Sequence, residues 1–131
     1  MSGPHRVLAC IDERAAAEEV LRTAAQLARE RRAELYALHV QAPGASTRCT
    51  PQAAAQLARN LQHAADLGAQ VEVRPGHHIA STILQFARER AVGWIVVGAS
   101  QRGGWQRLIR GDIAAQLRAG AGAVEVVVVG G

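Results

Sequence analysis

Short apolar runs alternate along the chain with longer segments in which apolar residues recur every three or four positions. Most of the short runs lack polar alternation, which is typical of strands buried on both faces of a parallel sheet. The predicted strands are Arg6–Ile11, Glu34–Val40, Ala69–Val73, Gly93–Val97 and Val124–Val129.

The longer segments have the apolar spacing of amphipathic helices. The predicted helices are Arg14–Arg32, Pro51–Leu67, His78–Arg90 and a last one from about Asp112 to Arg118. Strands separated by helices indicate right-handed crossovers, so the pattern predicts an open α/β fold: a five-stranded parallel sheet with helices on both faces. No linker, repeat or change of composition interrupts the 131 residues, and we expect residues 1–131 to form a single domain.

The kinds of basic residue in the chain disfavour several classes of protein. All fifteen basic residues are arginine, and the chain has no lysine. Walker-type phosphate loops and Schiff-base enzymes use a lysine, so both classes are disfavoured. Arginine instead offers planar, bidentate contacts to phosphate groups.

The residue types and their spacing also disfavour a disulfide, a membrane span, a metal site and nucleic-acid binding. Cys10 lies in an apolar run and Cys49 in a polar loop, which disfavours a disulfide. The sequence shows neither a signal-peptide pattern nor an apolar stretch long enough to span a membrane, so we expect a cytoplasmic protein without membrane contact. Metal binding is not expected because no cluster of ligand residues occurs, and aromatics are too sparse for a nucleic-acid platform.

The candidate binding residues lie at the carboxyl ends of two predicted strands. Ligands of open parallel sheets bind at these ends. Asp12 follows the first strand, and the glycine-rich turn Gly98–Gly111 follows the fourth. Glycines let backbone N–H groups point into a concavity, and a helix starting near Asp112 adds its positive end. Three arginines of the turn can complete an anion site: Arg102, Arg107 and Arg110. The alternative is a solvated basic loop that only closes the connection.

The segments VLACID, LHV and WIVVGAS…GGW…RLIRGD resemble the universal stress protein family over essentially the whole chain. The resemblance implies an adenine nucleotide alpha hydrolase-like fold and an adenine nucleotide such as ATP as ligand. It further implies that Asp12 and the Val40 backbone face the adenine and ribose, and that Gly98 and Gly111 lie along the phosphates.

Two positions depart from the family's glycine motif. The family's motif is Gly, two residues, Gly, nine residues, Gly, and then Ser or Thr. In this sequence Gln101 stands where the motif has its second glycine, and Asp112 stands where it has Ser or Thr. A carboxylate repels a terminal phosphate by roughly 1 kcal/mol at 4 Å even in water. We therefore expect no tight binding of a triphosphate in the usual position, although Asp112 also suits the N-cap of the following helix.

The turn also resembles, more narrowly, the stress-protein domain of KdpD potassium-responsive sensor histidine kinases. The shared residues are Ser100, Arg102, Trp105, Arg110 and Gly111. Ser100 is interpreted as a hydrogen-bond donor to phosphate or within the turn, since no base is placed beside it. Trp105 either covers the sheet edge or stacks on a base or a partner. This subgroup makes cyclic di-AMP a second candidate ligand, although VEVVVVGG stands where known binders have an aromatic segment.

The expected function is that of a regulatory sensor domain without enzymatic activity, which binds a nucleotide-like ligand or a partner protein. Any kinase activity would lie outside this chain, in a two-component system that responds to potassium or osmotic stress. The alternatives are a free-standing ATP-binding stress protein and an interaction scaffold with a degenerate site. The partner is another stress protein or a kinase module, and Val124–Val129 could pair with a second copy.

Overall fold

The computed structural model of the protein describes residues 6–44, 50–98, 113–120 and 122–129. The strands in these ranges are β1 (Arg6–Cys10), β2 (Glu34–Gln41), β3 (Gln70–Pro75), β4 (Trp94–Gly98) and β5 (Glu125–Val129). The helices are α1 (Ala17–Arg31), α2 (Pro51–Asp66), α3 (Ile79–Glu89) and α4 (Ile113–Gly120).

The sheet has the strand order β3-β2-β1-β4-β5, and every neighbouring pair is parallel. From β1 the chain adds β2 and β3 on one side and then crosses to add β4 and β5 on the other. The direction in which strands are added therefore reverses between β1 and β4. Because these two strands are parallel neighbours, their carboxyl ends lie side by side. The predicted five-stranded parallel α/β fold is confirmed.

Alternate strand residues face two separate cores, as the pleat of a strand requires. On one face Val7, Ala9, Ala37 and Val96 pack against α1, and α2 contributes Ala64. The other face packs against α3 and α4. Its largest buried side chains are Leu8, Leu38, Ile83, Phe86, Ile95 and Leu117. Because both faces are covered, the central strands β1 and β4 are almost uniformly apolar.

A charged cluster lies on the α3 side, over the ring of Phe86. Arg74 Nη2 lies 2.8 Å from Glu72 and 3.1 Å from Glu89, and Arg90 Nη2 lies 3.0 Å from Glu72. Both guanidinium groups sit over the Phe86 ring, at 5.0 and 5.1 Å from its centroid. These five residues, called the Phe86 cluster below, join the edge strand β3 to the end of α3.

The element boundaries follow local chemistry closely. Thr50 caps α2, as predicted: its hydroxyl accepts from the N–H of Ala53 at 3.0 Å, and Pro51 takes the first helical position. The predicted first helix was too long at its start. Residues Asp12 to Ala16 form turns before α1, because the Asp12 carboxylate accepts the backbone N–H of Arg14 at 3.0 Å and stabilises a turn.

In the described ranges, none of the helices is long and apolar enough to cross a membrane.

Candidate functional site

A reversal of strand order in an open α/β sheet leaves a crevice outside the carboxyl ends of the strands, and in this sheet the reversal falls between β1 and β4. In open α/β sheets ligands bind at this position, outside the carboxyl ends of the strands. Asp12 follows β1, Gly98 is the last residue of β4, and Val40 lies near the end of the neighbouring β2. The structure thus places three of the predicted site residues at the same end of the sheet.

Asp12 is already engaged by its own loop. Its carboxylate accepts the backbone N–H of Arg14 at 3.0 Å and the Arg14 Nε–H at 2.8 Å. The side chains of Asp12 and Arg14 are 33% and 29% exposed, so solvent reaches this ion pair from one side. A ligand that approaches Asp12 therefore meets Asp12 and Arg14 together rather than an isolated carboxylate.

Two buried polar residues fix the loop from the α2 side. The side-chain amide of Asn60 donates to the carbonyl oxygens of Asp12 at 2.8 Å and Arg14 at 3.0 Å. His39 Nδ1 lies 2.8 Å from the carbonyl oxygen of Ile11, and because a carbonyl can only accept, Nδ1 carries the proton. Asp12, Arg14, His39 and Asn60 are called the β1-loop cluster below.

The backbone of Val40 points toward the same crevice. The carbonyl of Leu38 accepts from Ile11 N–H at 2.9 Å, which shows that Leu38 directs its backbone groups toward β1. Backbone groups two residues apart on a strand point to the same side, so Val40 also points toward β1, beyond its end at Cys10. That the Val40 backbone faces a ligand stays a prediction.

The backbone conformation at position 98 does not require a glycine. The φ of Gly98 lies outside the left-handed region, unlike that of Gly68 or Gly122. Among described atoms, a Cβ on Gly98 would meet Val20 Cγ2 at 3.4 Å and Arg14 Nη2 at 3.6 Å, both ordinary contacts. The missing side chain therefore leaves room beside the Arg14 guanidinium.

The remaining predicted site residues lie outside the described residues. They are Ser100, Arg102, Trp105, Arg107, Arg110, Gly111 and Asp112. Their place in the site stays a prediction.

Sequence reasoning missed Arg14, His39 and Asn60, although two of them left a signal. Asn60 falls within the apolar stripe of α2 that includes Leu57, Leu61 and Ala64, and His39 continues the alternation of Leu35 and Ala37 on one face of β2. A polar residue at a core position must have a hydrogen-bond partner, so both positions predicted an internal contact. Arg14 left no such signal, because a charged residue in a loop is ordinary and does not by itself indicate a contact.

Neither a thiol nucleophile nor a metal centre is indicated in the described residues. Burial raises the pKa of the Cys10 thiol, and the nearby negative charge of Asp12 raises it further, so the thiol stays protonated at neutral pH. A group of three or more His, Cys, Asp or Glu side chains that could ligate a metal does not occur in the part of the chain that the structure describes.

The fold and site together define an open, doubly wound α/β protein with a polar crevice at its topological switch point. The model of the universal stress protein family matches residues 4–130. The chain therefore belongs to the universal stress protein family.

Among curated relatives, the chain is similar to the sensor protein KdpD of Mycobacterium tuberculosis (strain CDC 1551 / Oshkosh). The two are 31% identical over 122 residues, which is 92% of this chain and 14% of KdpD. The chain thus spans only about one seventh of the length of the curated relatives it matches.

Solved universal stress proteins have the same fold. The structure of the Archaeoglobus fulgidus protein in complex with dAMP is 25% identical, has a TM-score of 0.64, and matches over 99% of this chain and 100% of that one. A universal stress protein in complex with cAMP is 21% identical, with a TM-score of 0.69 and 98% of each chain covered. These likenesses support the fold along nearly the full length of the chain.

Proposed function

We propose that this chain is a regulatory, non-catalytic domain that binds an adenine nucleotide at the crevice between β1 and β4. The observation that carries the proposal is the convergence of the Asp12 carboxylate, the Val40 backbone and the side-chain-free Gly98 on that crevice. The dAMP complex of the Archaeoglobus fulgidus relative supports the same class of ligand. The predicted residues Ser100, Arg102, Arg107, Arg110, Gly111 and Asp112 complete the proposed site, with Trp105 as a stacking surface.

The proposed ligand has one phosphate or a phosphodiester rather than a triphosphate. Asp112 replaces the hydroxyl residue of the family motif, and a carboxylate there repels a terminal phosphate. AMP fits this restriction, and so does cyclic di-AMP, which has two bridging phosphates and no terminal one.

Titration calorimetry of the purified protein with AMP, ATP and cyclic di-AMP tests the proposal. We expect AMP or cyclic di-AMP to bind more tightly than ATP. The protein should not hydrolyse ATP faster than a buffer blank. Absence of heat with all three nucleotides, confirmed by native mass spectrometry, would show that the proposed ligand class is wrong.

We further propose that the domain reports ligand occupancy to a kinase, in a potassium- or osmotic-stress two-component system. The support is the 31% identity to KdpD, together with the small share of KdpD that the chain covers, since kinase activity then belongs to other parts of such a protein. The test replaces the stress-protein domain of Mycobacterium tuberculosis KdpD with this chain and measures autophosphorylation. We expect the rate to change on addition of the bound nucleotide, and an unchanged rate would contradict the sensory role.

A second candidate is a free-standing ATP-binding stress protein. It is favoured by the family match over residues 4–130 and by the motif glycines Gly98 and Gly111, which this sequence keeps. In that case Asp112→Ser, which restores the hydroxyl of the motif, should raise ATP affinity above that of the wild type. This candidate also requires measurable ATP binding by the wild type, which calorimetry checks. Unchanged ATP affinity in Asp112→Ser would show that the proposed repulsion between Asp112 and a terminal phosphate is wrong.

We also propose that two copies of the chain associate through the last strand. β5 is an edge strand, and a row of backbone N–H and C=O groups along an edge can pair with another copy. The segment Val124–Val129 would supply this edge. Light scattering after size-exclusion chromatography should give a dimer mass, and a monomer at every concentration would contradict it.

A further inference from the structure

A groove lies at the amino-terminal edge of the sheet, at the opposite end of the strands from the nucleotide crevice. It is formed where α1 and α2 end and where β2 and β3 begin. Its volume is about 430 Å³, within the range of roughly 300–1,000 Å³ that is usual for binding sites. We call it the α1–α2 groove. Its apolar wall is Ala25, Ala28, Leu35 and Leu67, and its basic residues are Arg29 and Arg32.

The apolar wall of the groove is open to solvent at Leu67. This side chain is 38% exposed, and only Val71 and Val73 are comparable among the large apolar side chains that the structure describes. Both valines lie on the edge strand β3, which begins at the groove. Because Val71 pairs with Ala37, both valines point to the face of the sheet that α1 and α2 cover. The exposed large apolar side chains therefore follow one edge of the molecule, starting at the groove.

The groove also carries positive charge that the described part of the chain does not neutralise. Arg29 and Arg32 are both exposed, and within the described ranges neither guanidinium makes a hydrogen bond or an ion pair. Glu34 lines the groove as well, but Arg6 Nε lies 2.9 Å from its carboxylate. The groove therefore offers two cationic groups beside an apolar wall.

The backbone of Arg32 adopts a conformation that favours glycine. Its φ of 54° and ψ of 48° are left-handed, and the N–H of Ala33 bonds to the carbonyl of Ala28 at 2.8 Å, so α1 ends in a Schellman motif. The end of α2, which also lines the groove, has Gly68 at the left-handed position, with a φ of 91°. An arginine there places a charge at the groove at a steric cost that glycine avoids, which indicates a role for the side chain outside folding.

We propose that the α1–α2 groove binds an acidic segment of a partner protein, with carboxylates on Arg29 and Arg32 and an aliphatic side chain against Leu67 and the alanines of α1. Arginine binds carboxylates through charge-assisted, bidentate hydrogen bonds. An aliphatic side chain complements the apolar wall, which a free phosphate does not. Since the groove and the nucleotide crevice lie at opposite ends of the strands, both can be occupied together, and this inference goes beyond the proposed nucleotide-binding function.

Three fluorescein-labelled octapeptides serve as probes of the full chain. The first has leucines among glutamates (EELEELEE), the second replaces leucine by glycine (EEGEEGEE), and the third replaces glutamate by lysine (KKLKKLKK). Fluorescence anisotropy measures the affinity of each. We expect saturable binding of the first peptide, roughly tenfold weaker binding of the second because it lacks the apolar contact, and no binding of the third.

The variants Arg29→Gln and Arg32→Gly have matched controls. Arg22→Gln removes the same charge two turns earlier on α1, where the side chain is 64% exposed. Ala91→Gly makes the same backbone change at the end of α3, where φ is also 54°. We expect each groove variant to bind the leucine–glutamate peptide about threefold more weakly, and the double variant roughly tenfold more weakly. Both controls should bind it as the wild type does, and all variants should keep the wild-type AMP affinity.

Thermal unfolding separates a binding role of Arg32 from a structural one. Glycine suits the left-handed backbone, so Arg32→Gly, like Ala91→Gly, should unfold at the wild-type temperature or above it, even though its peptide affinity falls. A lower unfolding temperature together with unchanged peptide affinity would assign Arg32 to folding and overturn its proposed role.

The proposal is also overturned if no acidic peptide binds saturably, if the lysine peptide binds equally well, or if Arg22→Gln loses as much affinity as Arg29→Gln. Tighter binding of a labelled oligothymidylate that depends on Arg29 would assign the groove to nucleic acid and overturn it as well. Failure of the wild type to bind AMP contradicts the proposed nucleotide site and leaves the groove unaffected, so the two proposals can fail separately.

Discussion

The β1-loop cluster and the Phe86 cluster are both polar groups set against apolar cores, but their contacts differ in kind. In the Phe86 cluster, side chains bind side chains: Glu72 and Glu89 pair with Arg74 and Arg90 over an aromatic ring. In the β1-loop cluster, His39 and Asn60 bind backbone carbonyls of one loop. The first arrangement joins a helix to an edge strand, whereas the second fixes the shape of a loop.

This difference distinguishes a region that joins secondary-structure elements from the region at which we propose that a ligand binds. The charges of the Phe86 cluster are matched among themselves and rest on a ring that is completely buried. The β1-loop cluster lies at the carboxyl ends of the strands, which is where open α/β sheets bind their ligands. We therefore expect changes in the Phe86 cluster to alter stability alone and changes in the β1-loop cluster to alter binding as well.

The largest expected effect is that of Phe86→Ala, which removes a fully buried ring beneath two guanidinium groups. We expect the free energy of unfolding in urea to fall by about 3–5 kcal/mol. AMP affinity of the folded fraction should not change. Phe86→Leu is the matched control, because it keeps most of the volume and should cost less than about 1.5 kcal/mol. A weaker AMP affinity in folded Phe86→Leu would contradict the separation of the two regions.

Asn60→Ala should be next in size and should affect both properties. It leaves two loop carbonyls without their amide donor, so we expect a loss of about 1–3 kcal/mol of stability in urea. AMP affinity should also fall, because the backbone of the loop that carries Asp12 is no longer fixed. Gln62→Ala on the same helix removes an exposed amide and should stay within about 0.5 kcal/mol of the wild type. If Asn60→Ala lowers stability but leaves AMP affinity intact, the loop does not depend on this contact for binding.

Gly98→Ala should weaken binding without a matching loss of stability. The new methyl group makes only ordinary contacts with Val20 and Arg14 in the described structure, but it occupies the space proposed for a phosphate. We expect AMP affinity to drop roughly tenfold, which is about 1.4 kcal/mol. Gly93→Ala, at the other end of β4, also has room for a methyl group and should bind AMP normally. Equal affinities of the two variants would place the ligand elsewhere.

The smallest effect concerns the acid stability of the Phe86 cluster. The hydrogen bond from Arg74, with a smaller contribution from Arg90, lowers the pKa of Glu72 from its usual value of 4.5. A carboxyl with a lowered folded-state pKa stabilises the fold above the unfolded-state pKa and loses this contribution as the pH falls through the folded value.

Stability measured between pH 6 and pH 3 should therefore fall less in Glu72→Gln than in the wild type. The difference should stay below about 1 kcal/mol, because the pair is partly exposed and screened by water. Glu30→Gln, an exposed glutamate on α1, serves as the control and should keep the wild-type pH dependence. If Glu72→Gln and the wild type lose the same stability between pH 6 and pH 3, ionisation of this carboxylate does not contribute to the stability of the fold.

Much of the fold could be predicted because its signals are local. The strand runs, the helical spacing and the Thr50-Pro51 start are properties of neighbouring residues, and each appears in the structure within a few positions. The start of α1 was misjudged by three residues, since the hydrogen bonds between Asp12 and Arg14 replace the first helical turn. Asp12 and Gly98 could be proposed as site residues because the carboxyl ends of parallel strands lie at one edge of the sheet, whereas Val40 was implied by the resemblance to the stress-protein family.

By itself, the sequence determined a parallel α/β sheet, its family and the end of the sheet at which chemistry is expected. Only the tertiary structure decided that Arg14 lies between Asp12 and Gly98, and that Asn60 and His39 orient its loop. Asn60 contacts the Asp12 carbonyl from 48 positions away, and His39 contacts Ile11 from 28. Periodicity reports which face a residue occupies, whereas contacts across such separations depend on how the helices pack onto the sheet.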